Sequence, residues 1–205
     1  MDNSSKELPN KDSDISAAWI PERTFFQQAE KWCQGRQWAP RLLLLSFFAF
    51  IFVKHLQDPQ YASIFKGLNL GIHELGHIIF APFGQFINVA GGSFFQCLVP
   101  IIAIFMFYRQ RDFFAIAIAF GWLATNLFDV ALYISDANTE ELPLVSPFQG
   151  EEVIHDWNYL LGQLHLLSYD GTIAFCVRAL ALLSMFICLG FGIWLVLTMV
   201  LSRKR

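Results

Sequence analysis

Charge is scarce in this chain of 205 residues: only 15% are Asp, Glu, Lys or Arg, and their formal balance is −3. With no basic stripe to meet phosphates, a nucleic-acid partner is not expected. Cysteine is scarce too. Cys33, Cys97, Cys176 and Cys188 show no paired spacing, and three of them lie in apolar runs. They read as inert core residues, not as disulfide partners or metal ligands. The N-terminal stretch is polar, without the short basic segment and apolar core of a cleavable signal peptide, so none is expected.

Apolar and aromatic side chains are abundant. Hydrophobic residues make up 55% of the chain, aromatics 16%, and 22 residues are Phe. That is too apolar for a soluble domain of this size, and the apolar residues come in long runs. The expectation is an all-α, multi-pass integral membrane protein of about five transmembrane helices. Residues 1–16 read as a disordered polar tail, 17–41 as an interfacial amphipathic segment, and 42–205 as one membrane-embedded domain. For 17–41, a packed cap over the bundle is the other reading. The expected spans are 42–56, 61–83, 94–108, 113–135 and 172–201. Pro100 is expected to kink the third. Residues 85–93, partly alternating and carrying Gly91-Gly92, read as a short re-entrant turn or edge strand. Residues 155–165 read as a short interfacial helix with Asp156 as its N-cap.

The second span carries His73-Glu74-Leu75-Gly76-His77. On a helix, positions i and i+4 share a face, so both imidazoles can reach one ion. Zinc favours neutral imidazole nitrogen. Glu74 stands roughly 100° round the helix from His73. It flanks the metal and suits the role of general base toward a water that the metal activates. Polar groups of this kind inside a membrane span are costly unless partnered, and so point to function.

Asn126, Asp129, Tyr133 and Asp136 form one stripe along the fourth span. An acid at the depth of Asp129 needs a metal, a cation such as Arg178, or a proton. His155, at the start of its helix, is free to reach a metal or simply to be solvated. With five spans, the motif, Asp129, Asp136, the His155 helix and the N-terminal tail all point to one side of the membrane. Lys54, Arg109, Arg111 and Arg203 then lie on the other, while Lys31, Arg36 and Arg41 lie with the site.

His73-Glu74-Leu75-Gly76-His77 within a membrane span resembles the site-2 protease family of intramembrane zinc proteases, particularly its small bacterial branch. Gly91-Gly92-Ser93 and the Pro100-containing span are similar to that branch as well, over residues 67–163. The resemblance implies one Zn2+, and cleavage of peptide bonds in or next to the membrane of membrane or membrane-adjacent protein substrates. It also implies a bacterial inner (plasma) membrane location. A third ligand is implied too, an aspartate on a later span within an Asn…Pro…Asp-Gly pattern. Asn126 and Asp136-Ala137 match that pattern only in part, without its Pro and Gly. The candidate ligands are therefore His73 and His77 with Asp129, then His155, then Asp136. Asn126 or Asn158 is a candidate for stabilising the oxyanion. The expected function is a membrane-embedded zinc metalloendopeptidase with Glu74 as general base. The alternatives are a non-catalytic protein stapled by zinc, and a proton or ion relay using Asp129, Arg178 and the histidines.

Overall fold

The computed structural model describes residues 24–142 and 155–203. Residues 1–16 and most of the expected 137–152 loop lie outside them. The described residues are helical, with no strand among them. In chain order they form α1 (Phe25–Cys33), α2 (Ala39–Gln57), α3 (Lys66–Phe80), α4 (Gln85–Gln110), α5 (Phe113–Ser135), α6 (Asp156–Gln163) and α7 (Asp170–Ser202). Local chemistry sets several of the ends. Thr24 and Gln27 close a capping box on α1. Pro40 lies in the first turn of α2, where its missing N–H costs nothing. Asp112 caps α5 by accepting from the Ala115 N–H, right after Arg111 has ended α4 in the left-handed conformation.

α2, α4, α5 and α7 are long and apolar enough to cross a membrane, and the chain is an all-α membrane protein. α5 lies at the centre of the bundle. Its partners run in register: Phe48 and Cys188 meet Gly121, His55 stacks on Phe128, and Arg178 lies over the same ring. Thus α2 runs parallel to α5 and α7 antiparallel. At 23 residues, α5 is about 34 Å long, enough for a hydrocarbon core of roughly 30 Å.

Three sequence expectations need correction. First, the motif helix α3 has 15 residues and is only about 22 Å long, short of a full span. It runs parallel to α5, with Asn69 beside Asp129 and His73 beside Tyr133. Second, residues 85–93 are neither a re-entrant turn nor an edge strand but the opening turns of α4, which continues past a buried Pro100. Gly91 and Gly92 serve helix packing there: a Cβ on Gly76 would run into the Gly91 carbonyl, and one on Gly91 into the Phe80 ring. Third, α1 lies at the opposite end of the bundle from the motif. Ala29 and Cys33 are buried against Phe113 and Leu195, and Phe25 packs on Phe113 and Tyr108. The described part of 17–41 packs against that end. Lys54 in turn lies toward the motif end, because α2 runs parallel to α5.

Candidate metal centre

Two helix faces and one helix start meet at the upper end of α5. His73 and His77 project from α3 toward α4, where Gly92 faces them. A Cβ on Gly92 would stand 2.6 Å from both Nε2 atoms, so this cradle requires glycine. The outer nitrogen of each ring is held. His77 Nδ1 lies 2.9 Å from the Asn88 carbonyl, which can only accept, so the proton is on Nδ1. His73 Nδ1 lies 3.1 Å from Gln96 Oε1 in the same sense. Both Nε2 lone pairs therefore face inward, the orientation that ligating histidines take when their other nitrogen is hydrogen-bonded.

The third donor comes from α6. Asp156 Oδ2 lies 2.8 Å from His73 Nε2 and 3.2 Å from His77 Nε2. Burial pushes the Asp156 carboxyl up, and the two imidazoles hold it below the usual carboxylate range only when they are protonated and donate to it; with both in the neutral form set by their outer partners, that relief is lost. Three acceptor atoms thus converge on one point, which only a proton or a cation can relieve. Donors at 2.0–2.2 Å around a tetrahedral ion stand roughly 3.3 Å apart, close to these separations. His73, His77 and Asp156 form, among the described residues, a group that could hold a metal ion, with donor atoms all within 4.8 Å of one another.

The start of α6 is fixed from several directions. Tyr133 Oη accepts from the Asp156 N–H at 3.1 Å, Trp157 Nε1 donates to Ser93 Oγ at 3.1 Å, and Asn158 Nδ2 donates to the Ala137 carbonyl at 2.8 Å. His155, not Asp156, caps the helix: its Nδ1 accepts from the Asn158 N–H. Its Nε2 lies 3.2 Å from Asp136 Oδ2. Both nitrogens of His155 are engaged, which leaves none for a metal. Asp136 also accepts from the Thr139 hydroxyl and from the Glu141 and Leu142 amides, and it stands outside the group of converging donor atoms.

Asp129 lies one turn below the centre, engaged with Asn69 Nδ2 at 2.7 Å; Asn69 Oδ1 accepts from Trp122 Nε1 at 3.0 Å. This network latches α3 to α5 and keeps Asp129 away from the histidines. Arg178 donates to the His55 carbonyl instead of pairing with Asp129. The amide groups of Asn126 and Asn158 bond to the Trp122 and Ala137 carbonyls, which gives neither of them a place at the centre. Glu74 is partly exposed beside the histidines. Among the described residues its carboxylate has no hydrogen-bond or ion-pair partner, and its charge acts on His77 and Tyr133.

Fold and site together define an all-α membrane protein with a largely buried His–His–Asp group that could hold a metal ion. No protein-family model, curated protein or solved structure matches the chain.

Proposed function

We propose that the chain is a membrane-embedded zinc metalloendopeptidase that hydrolyses peptide bonds in or next to the membrane. One observation carries this reading: Asp156 completes a two-histidine, one-carboxylate donor set around His73 and His77, with Glu74 free alongside. Catalytic zinc sites use three protein ligands of this kind and leave a fourth position open. A bound zinc supplies Lewis acidity, lowering the pKa of water and polarising the scissile carbonyl. Glu74 takes the water proton and later passes it to the leaving amine. Tyr133 contributes a hydrogen bond. Its oxygen already accepts from the Asp156 N–H, so its own proton is free for the carbonyl oxygen as negative charge develops there.

A structural staple would call for a fourth protein ligand, and the described residues offer three. A metal-free relay would have no need of Glu74 at its position. The test is zinc content beside peptide cleavage in detergent-solubilised protein, using a mixed library of membrane-span peptides read by mass spectrometry. Wild type should hold about one zinc, as a single catalytic site does, and release fragments. Glu74→Gln should keep the zinc and lose about 10²–10⁴-fold in rate. Folded wild type that is prepared without chelator and carries no metal would sink the peptidase reading. Undiminished cleavage by Glu74→Gln would remove Glu74 from its role.

A further inference from the structure

The two ends of the bundle differ in charge. The end built from α1, the start of α2, the α4–α5 turn and the end of α7 carries Lys31, Arg36, Arg41, Arg109, Arg111 and Arg203. Its carboxylates among the described residues are Glu30 and Asp112, and Asp112 is engaged in capping α5. None of the six cations is ion-paired within the described residues, where every ion pair involves a histidine. Several instead lie over aromatic rings, Arg36 and Arg41 over Trp32 and Arg111 over Tyr108. That places cations and aromatics together at headgroup level. An open cavity of about 470 Å³ lies between α1 and the α4–α5 turn, and Lys31, Arg36 and Arg111 line it with no described carboxylate.

The opposite end holds the metal centre and is acidic, with Asp58, Asp136, Glu140, Glu141, Asp156 and Asp170 against Lys54, Lys66 and Arg178. The sequence between Leu142 and His155 contains no lysine or arginine. Basic residues close to the ends of membrane helices favour the cytoplasmic side, where the leaflet is anionic. Counting α3 as a full span would divide these cations between the two faces. The observed packing gathers them on one.

We propose that the basic end is a docking surface for the anionic phosphate headgroups of the cytoplasmic leaflet, so that the His73–His77–Asp156 centre opens on the opposite face of the membrane. Charge complementarity selects this occupant: an acidic protein partner would have to compete with headgroups at the same depth. Resting on the peptidase reading, the substrate class follows as polypeptides whose cleaved bond lies at or near the extracytoplasmic boundary.

The test is sidedness in sealed vesicles, using a membrane-impermeant maleimide and single added cysteines at exposed positions. Gln34→Cys and Arg203→Cys report the basic end, and Gln60→Cys and Glu141→Cys report the site end, two at each end in case one variant is not recovered. The unsubstituted protein is the blank, and detergent-opened vesicles give the full signal. In right-side-out vesicles the site-end pair should label fully and the basic-end pair only after opening, with the reverse in inside-out vesicles. The opposite pattern, or equal labelling of both ends, overturns the proposal. The readout needs neither metal nor cleavage. A wrong orientation therefore leaves the peptidase reading standing, and a metal-free protein leaves the orientation standing.

Discussion

Asp156 Oδ2 stands 2.8 Å from His73 Nε2, although the two residues are 83 positions apart in the chain. This contact, repeated at 3.2 Å to His77, makes α6 part of the candidate metal centre and leads to the first prediction. Asp156→Ala should lose the metal. Removing a ligand outright should exceed the loss of about 10–100-fold in affinity typical of outer-shell partners. Asp129→Ala should keep the metal, since Asp129 is engaged with Asn69. Elemental analysis of purified variants separates the two. Equal loss with Asp129→Ala would place Asp129 among the ligands and refute the geometry.

Gly92 carries the second prediction. A methyl group there would stand 2.6 Å from both Nε2 atoms, on the very atoms that would ligate the proposed ion. Gly92→Ala should abolish metal binding, because the histidines can only yield by leaving their Gln96 and Asn88 partners. Gly162→Ala, whose Cβ meets nothing within 4 Å, should leave the zinc content unchanged. If Gly92→Ala bound zinc as tightly as wild type, the ion could not sit between the rings and α4.

Much of the architecture is legible in the sequence, and the misses have physical causes. The apolar run 113–135 coincides with α5 because Asp112 caps it and polar residues follow it. His73, Glu74 and His77 are legible because helical spacing alone puts the imidazoles on one face. The roles of His155 and Asp156 come out exchanged. Intrinsic capping preference favours Asp, but Asp136 engages the His155 ring and turns it into the cap, freeing Asp156 for the histidines. A sign of this is available in the sequence only as the pair Asp136 and His155 flanking one Pro- and Gly-containing segment. Gly91-Gly92 resembles a chain break in isolation, yet serves as a packing surface between helices. Counting α3 as a full span changes the parity of the crossings, and that one step moves Lys31, Arg36 and Arg41 to the wrong face.

Tyr133 is visible in the sequence only as part of a polar stripe, and the structure brings its ring 6.0 Å from His73. If its hydroxyl stabilises charge on the carbonyl oxygen, Tyr133→Phe should retain zinc and cut kcat by about 10²–10³-fold with KM little changed, as removal of an oxyanion donor does. Steady-state cleavage beside zinc content checks this. A variant with normal kcat would reduce Tyr133 to a support for the Asp156 amide.

Asp136 links the last turn of α5 to α6, and its chemistry makes the site sensitive to acid. Burial would push its carboxyl up, but the Thr139 hydroxyl, the Leu142 and Glu141 amides and His155 together hold it below the usual carboxylate range. A group depressed on folding stabilises fully above its unfolded pKa and loses that contribution as pH falls through the folded value. The clamp should therefore hold at neutral pH and release only below about pH 4, the ordinary aspartate range. Hydrogen-exchange protection of the Glu141 and Leu142 amides, followed against pH and corrected for intrinsic rates, should drop in that window. Asp136→Asn keeps the size of the side chain but removes its charge, so protection should already be low at pH 7. Zinc affinity should fall by about 10–100-fold, the scale of outer-shell losses, because His155 no longer fixes the start of α6. Unchanged protection in Asp136→Asn would mean that Trp157 and Tyr133 alone hold Asp156 against the histidines.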